Sequence, residues 1–101
     1  TGAGSGLGRE YALALAAHGA RVVVNDLGIS VTGDEPSGDS AGSVAREIAS
    51  IGGEAVASRD SVAEWHGAEH IVATALERFG RLDIVINNAG NNRPSSLVEL
   101  S

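Results

Sequence analysis

The chain has 101 residues, 43% of them hydrophobic, which is the size and composition of one globular domain or part of one. It contains no cysteine, which excludes disulfide bonds and thiolate metal sites. The formal net charge is −6 and the 7 basic residues, all arginine, are dispersed along the chain, so nucleic acid is not an expected partner.

The apolar runs are too short to span a bilayer, so we expect no membrane association. The start of the chain also lacks the basic and then apolar pattern of a signal peptide. Together with the lack of cysteine, this leads us to expect a cytoplasmic protein.

The first half of the chain alternates between helix and strand patterns. Residues 8–18 are rich in alanine and leucine, which favours a helix, and Gly19 is a typical C-terminal stop. The β-branched run 22–24 predicts a buried strand that ends at Asn25 and Asp26. Glycine, proline and serine then predict a long loop over 27–39.

A second helix and a weaker strand follow this loop. Asp39 or Ser40 can cap the helix, and Gly52 and Gly53 end it. Its apolar positions follow helical spacing: Val44, Ile48 and Ile51. Residues 55–57 predict the strand.

A third helix and strand complete the pattern. Ser61 and Glu64 form a capping-box pattern, which predicts a helix that begins near Val62 and ends at Gly80. Residues 82–87 read as another strand. The expected apolar face of the helix is formed by Trp65, Ala68, Val72, Leu76 and Phe79.

This alternation predicts a Rossmann-like α/β fold, a doubly wound parallel sheet with helices on both faces in three layers. The glycine turn at Thr1–Gly8 is of the kind that follows a strand, so we expect residues 1–101 to be a partial domain that lacks its first strand and its C-terminal half. We expect such a fragment to fold poorly alone. Ligands of this fold bind at the carboxyl ends of the strands, here Asp26, Asp60 and residues 87–90.

The glycine turn carries the first functional signal. Gly2, Gly6 and Gly8 have the spacing G-x-x-x-G-x-G and run directly into a helix, where free N–H groups can bind a pyrophosphate. The pattern is neither G-x-G-x-x-G, since position 7 is leucine, nor a P-loop, since no lysine follows. A tight turn without a ligand is the alternative.

Asp26 carries the second signal. A carboxylate at the end of the strand that follows a glycine turn accepts hydrogen bonds from the adenosine ribose and repels a 2′-phosphate. Leu27 and Gly28 follow it and Ser5 lies in the turn, so no basic residue is placed to receive that phosphate. We therefore predict NAD rather than NADP as the cofactor, with an ordinary turn aspartate as the alternative.

Three motifs in this order resemble the short-chain dehydrogenase/reductase family. They are Thr-Gly-x-x-x-Gly-x-Gly at 1–8, Asp60 after a strand, and Asn-Asn-Ala-Gly at 87–90. The resemblance covers essentially the whole chain. It implies an NAD-dependent oxidoreductase that acts on a secondary alcohol or ketone and assembles as a homodimer or homotetramer.

The resemblance also implies a role for particular residues. Asp60 would bind the adenine amino group with Ser61 beside it, although Ser61 is equally explained as a helix cap. Asn87 and Asn88 would either approach the ribose or tie strands together. The complete set of implied cofactor-binding residues is Gly2, Ser5, Gly6, Leu7, Gly8, Asp26, Asp60, Ser61, Asn88, Ala89 and Gly90.

Catalytic residues are not expected within this chain. The family uses a serine and a Tyr-x-x-x-Lys pair, and this sequence has no lysine. Within the family, the strand that ends in Asn-Asp-Leu-Gly and its long loop are similar to the (3R)-hydroxyacyl-CoA dehydrogenase units of multifunctional enzymes. A 3-hydroxyacyl-CoA is therefore one candidate substrate. The alternative function is a non-catalytic NAD-binding sensor or regulator.

Two metal sites are weaker alternatives. His66 and His70 with Glu69 spell the H-x-x-E-H pattern of some zinc peptidases, but we expect that helix face to be solvated. Asp34 and Glu35 lie in the acidic loop, which lacks the spacing of a calcium loop. We expect no metal at either place.

Overall fold

The computed structural model describes residues 1–27 and 39–88. Helices and strands alternate along these residues as the sequence predicts. Their bounds are α1 Gly6–Ala17, β1 Arg21–Asn25, α2 Ser40–Ser50, β2 Glu54–Ser58 and α3 Trp65–Phe79. In the described ranges, no helix combines the length and apolar character that crossing a membrane requires.

The two strands form a parallel pair covered by helices on both sides. Arg21 lies opposite Glu54 at one end of the pair and Asn25 lies opposite Ser58 at the other. Helices α1 and α2 pack on each other and on the sheet, whereas α3 contacts both strands without extensive contact to α1 or α2. Because side chains alternate between the faces of a strand, α3 covers the opposite face. The three-layer α/β arrangement is the predicted one.

The core lies between β1 and the two helices that pack on it, α1 and α2. Its largest fully buried side chains are Val24, Val44 and Ile48. The prediction for Val44 and Ile48 is confirmed, but the prediction for Ile51 is wrong because that side chain is 58% exposed. The helix ends at Ser50, and Ile51 takes a non-helical backbone (φ −98°, ψ 12°), which removes it from the apolar face.

Helix α3 begins later than its sequence predicts. The capping box would start it near Val62, but Ser61 Oγ accepts a hydrogen bond from Ala63 N at 3.2 Å and closes a turn there. The helix therefore begins at Trp65, after this turn. Gly67 lies directly against the Ser61 carbonyl, where a β-carbon would clash.

Two positions of the predicted apolar face of α3, Ala68 and Phe79, lie on its less exposed side, but the other three do not. Trp65, Val72 and Leu76 are 76%, 41% and 50% exposed. The less exposed line along this helix runs through Ala68, Ile71, Ala75 and Phe79. The helical pattern of apolar residues fits two overlapping faces that are one position apart. The face that contains buried Ala75 packs toward the strands.

Residues 82–87 are not a strand in the structure. In the described part of the chain, the backbone of this segment bonds to Thr1 alone. Ile86 O accepts from Thr1 N at 3.0 Å and from Thr1 Oγ1 at 3.2 Å. A strand requires a ladder with a neighbouring strand, and two bonds to one residue do not form one.

Core packing gives a test with a matched control. Ile48→Ala should lower the free energy of unfolding of the full-length protein by about 3 kcal/mol, because it removes a fully buried side chain. Ile51→Ala makes the same chemical change at an exposed position and should cost less than about 0.5 kcal/mol. Urea denaturation measures both, and equal losses would contradict this description of the core.

Candidate functional site

The glycine turn is fastened to the end of β1. Ala3 N donates to Asn25 O at 2.9 Å, and Gly4 N donates to Asp26 Oδ2 at 3.0 Å. Gly2 (φ 62°) and Gly6 (φ 57°) adopt left-handed backbone conformations that favour glycine. The turn and Asp26 therefore form one unit.

Gly8 allows the turn to fold back on its own helix. A β-carbon at Gly8 would clash with the Gly2 carbonyl and would lie 2.6 Å from Asn88 Nδ2. Gly8 is therefore packed closely against the turn. Any larger residue would push the turn away from α1.

The N-terminus of α1 is open to a ligand. Ser5, Gly6 and Leu7 are all exposed, with 66% of Leu7 accessible. Ser5 is the N-cap, and its side chain forms no capping bond within the described residues. The first N–H groups of a helix lack partners within the helix and attract anions, so this end can bind a pyrophosphate.

Ser40 lies beside the turn and Asp26. Its Oγ is buried and has no hydrogen-bond partner among the described residues. A β-carbon placed on Gly4 would clash with this hydroxyl and would lie 2.9 Å from Asp26 Cγ. A hydroxyl and a carboxylate thus adjoin a turn that only glycine permits, which fits a ligand rich in hydroxyl groups.

A polar network joins the carboxyl ends of the two strands. Asn25 is 3% exposed, and its Nδ2 donates to Ser58 Oγ at 3.1 Å and to Asp60 O at 2.9 Å. Ser58 Oγ in turn donates to Asp60 Oδ2 at 3.1 Å. His70 Nδ1 of α3 lies 2.6 Å from the same Asp60 oxygen.

His70 and Asp60 shift each other's pKa in opposite directions. The hydrogen bond from His70 holds the pKa of Asp60 below its usual value, against partial burial, which raises it. The hydrogen bond to Asp60, followed by its negative charge, raises the pKa of His70. An ionised carboxylate can only accept, so Nδ1 of the imidazole carries the proton between them.

The sequence did not predict the roles of Asn25, Ser58 and His70. His70 was expected on a solvated face, and its spacing to Asp60 follows no local motif. Asn25 gave a usable signal, since a polar residue that ends a buried strand needs partners. No comparable signal identified His70.

The H-x-x-E-H pattern does not converge on one point. His66 is 96% exposed and pairs with Glu69 at 3.6 Å, whereas His70 turns to Asp60. Over residues 1–27 and 39–88, no group of three or more histidine, cysteine or carboxylate side chains could hold a metal ion. Asp34 and Glu35 lie outside the described residues.

Asn88 approaches the glycine turn. Its backbone N donates to Thr1 Oγ1 at 3.1 Å and its Nδ2 donates to Gly2 O at 3.3 Å. Asn87 is exposed. Asn88 therefore ties the segment that follows α3 to the glycine turn rather than to another strand, while Ala89 and Gly90 lie outside the described residues.

The structure brings most predicted site residues to one edge of the sheet. The glycine turn, Asp26 and Asn88 are linked by hydrogen bonds, and Asn25 links this group to Asp60. Ser61 follows Asp60 in a turn rather than at a helix cap. The edge thus combines an anion-binding helix end with two carboxylates that accept hydrogen bonds.

The family profile described as short chain dehydrogenase matches residues 1–101. The chain is 54% identical over 101 residues to peroxisomal multifunctional enzyme type 2 of Drosophila melanogaster, covering 100% of this chain and 16% of that protein. These matches confirm both the resemblance drawn from the motifs and the branch within it.

Solved structures show the same fold. A short chain dehydrogenase from Mycobacterium avium is 54% identical, with a TM-score of 0.80 over 92% of this chain and 33% of its own. A 7α-hydroxysteroid dehydrogenase complexed with NADH and 7-oxo glycochenodeoxycholic acid is 36% identical, with a TM-score of 0.79 over 93% of this chain and 33% of its own. The predicted Rossmann-like fold class is confirmed.

The expectation of a cytoplasmic protein is wrong. The fly relative is named peroxisomal, as is a relative from Mus musculus that is 50% identical over 101 residues. The prediction rested on the lack of cysteine and of a signal-peptide pattern. Neither feature distinguishes the cytosol from another compartment whose proteins carry no such signal peptide.

The buried asparagine provides a test of the site. Asn25→Ala should lower the free energy of unfolding of the full-length protein by about 2 kcal/mol, because it leaves Ser58 and Asp60 without their shared donor. Asn87→Ala, at an exposed position, should have little effect. Thermal and urea denaturation measure both changes, and a stable N25A protein would contradict the network.

Proposed function

Because the chain belongs to the short-chain dehydrogenase family, we propose that residues 1–101 form the cofactor-binding part of an NAD-dependent oxidoreductase that interconverts a secondary alcohol and a ketone. The observation that carries this proposal is the hydrogen bond from Gly4 N to Asp26 Oδ2. It joins a carboxylate suited to a ribose to a helix end suited to a pyrophosphate.

The residues present fit a dinucleotide. Ser5, Gly6 and Leu7 would bind the pyrophosphate at the start of α1, where their backbone is exposed. Asp26 would accept hydrogen bonds from the adenosine ribose, near the buried hydroxyl of Ser40. Asp60 would accept a hydrogen bond from the adenine amino group, and Ser61 would lie beside Asp60.

The remaining proposed contacts lie near the nicotinamide half. Asn88, Ala89 and Gly90 would pass close to the ribose, while Gly2 and Gly8 keep the turn against α1. When bound, the cofactor accepts or donates the hydride. Residues of this chain bind and orient it, and the proton-transfer residues implied by the family lie outside these 101 residues.

NAD is the proposed cofactor rather than NADP. The carboxylate of Asp26 would repel a 2′-phosphate, and exposed Leu27 follows it where an arginine could otherwise bind that phosphate. Two arginines form ion pairs with carboxylates other than Asp26: Arg9 with Glu47 and Arg59 with Asp39. The charges around Asp26 therefore favour an unphosphorylated ribose.

The proposed substrate is a 3-hydroxyacyl-CoA, which is implied by the resemblance of the Asn-Asp-Leu-Gly strand end to (3R)-hydroxyacyl-CoA dehydrogenase units; the relatives named multifunctional enzyme type 2 support that branch. The proposed domain is a single NAD-binding domain of which these residues are one part. A homodimer or homotetramer is the proposed assembly.

Turnover by the full-length protein tests this function. With NAD and a medium-chain (3R)-hydroxyacyl-CoA, formation of NADH should exceed that with the (3S) isomer, because the related branch acts on the (3R) form. Absorbance of NADH measures the rate. Tight NAD binding without turnover of any secondary alcohol would instead favour a sensor or regulator.

The choice of cofactor has its own test. Asp26→Asn retains an oxygen that can accept from Gly4 N but removes the negative charge. Binding of NADH should weaken about tenfold and binding of NADPH should tighten, because a hydrogen bond to a charged group contributes about 1.5–3 kcal/mol. Fluorescence titration of the full-length protein measures both dissociation constants. A wild-type protein that prefers NADPH would contradict the assignment.

A further inference from the structure

Both protein donors to the Asp60 carboxylate bind the same oxygen. Ser58 Oγ donates to Oδ2 at 3.1 Å, and His70 Nδ1 lies 2.6 Å from Oδ2. Asn25 fixes the backbone of Asp60 through its carbonyl at 2.9 Å. In the described part of the chain, the hydrogen bonds to this carboxylate all fall on Oδ2, which leaves Oδ1 to accept from a ligand.

We infer that His70 is a positioning residue for adenine recognition. It holds Oδ2 of Asp60 so that Oδ1 can accept a hydrogen bond from the amino group of adenine. This inference rests on the proposed function, in which Asp60 meets the adenine. His70 itself does not touch the cofactor in this arrangement. It acts through the carboxylate.

The arrangement of charges explains why Asp60 depends on His70. The neighbouring residue Arg59 is turned away and forms a two-point ion pair with Asp39, at 2.8 and 2.7 Å. The side chain of Asp60 is 30% exposed, so without His70 it would retain one side-chain donor, Ser58. A carboxylate held by a single hydroxyl is free to rotate, and its hydrogen bond to adenine would lose directionality.

The pair also makes adenine binding dependent on pH. Asp60 raises the pKa of His70 through a hydrogen bond and its charge, and Glu77 of the same helix adds to this effect. These two carboxylates are the charged groups that act on His70 among the described residues. As pH rises through this raised pKa, the imidazole loses its charge and its bond to Asp60 weakens. Affinity for the adenine half should therefore fall on the alkaline side.

The experiment compares two cofactors that differ only at C6 and N1 of the purine, where adenine has an amino group and an unprotonated nitrogen and hypoxanthine has a carbonyl and an N–H. Dissociation constants of NAD and of nicotinamide hypoxanthine dinucleotide are measured by calorimetry on the full-length protein and its variants. The wild type should prefer NAD, because hypoxanthine has a carbonyl in place of the amino group. His70→Ala should weaken NAD binding about fivefold, the effect of one charge-assisted hydrogen bond acting indirectly, and leave the hypoxanthine analogue nearly unchanged.

Two further variants separate positioning from folding. His70→Asn places an amide donor near the position of Nδ1, so it should retain most of the NAD affinity but lose the fall on the alkaline side of the raised pKa of His70, because an amide does not titrate. His66→Ala changes a histidine one turn earlier that is 96% exposed, and it should match the wild type. In H70A, KM for NAD should rise while kcat at saturating NAD stays unchanged.

The possible outcomes are distinct. An H70A protein that binds both cofactors as tightly as the wild type would overturn the inference while leaving the NAD site intact. Equal weakening for both cofactors would also overturn it, since His70 would then support the fold in general. A wild type that binds neither cofactor would overturn the proposed function and this inference together.

Discussion

The parallel register of β1 and β2 is the constraint on which the site depends. Asn25 lies opposite Ser58, so the residues that follow each strand, Asp26 and Asp60, emerge at the same edge. Asn25 is almost fully buried, and its amide reaches partners that only this register supplies. A slip by one residue would turn that amide to the other face and leave it unsatisfied in the interior. The polar network thus stabilises the pairing that creates it.

Local chemistry made the first part of the fold predictable. Val44 and Ile48 follow helical spacing, and the carboxylate of Asp39 accepts from Gly42 N at 3.0 Å as the capping pattern indicates. The capping box at Ser61 failed because its hydroxyl found a nearer partner in a turn. The strand predicted at 82–87 failed for a different reason, since its apolar pattern says nothing about whether a neighbouring strand is available.

The carboxylates of the site were predictable from their position, whereas the residues that hold them were not. Asp26 and Asp60 lie just after the carboxyl ends of β1 and β2, and strand ends are where this fold binds ligands. His70 lies ten positions after Asp60 and belongs to another element, so their contact depends on how α3 crosses the sheet. Gly67 allows α3 to approach the Ser61 carbonyl closely, because a β-carbon there would clash with it. Sequence patterns describe what a residue can do, and packing decides which neighbour it reaches.

Besides its proposed contact with the cofactor ribose, Asp26 holds the glycine turn, because one of its oxygens accepts a hydrogen bond from Gly4 N. A substitution of Asp26 would therefore alter the glycine turn as well as the proposed preference for NAD. A single base change in an aspartate codon can give Asn, Glu, Gly, Ala, Val, His or Tyr. Of these, asparagine retains a short side-chain acceptor with the same reach, so it preserves the bond to Gly4. For a lineage that changed its cofactor preference, asparagine would be the first substitution that disturbs the glycine turn least. The geometry of the turn would thereby limit the order in which substitutions at neighbouring positions such as Leu27 could follow.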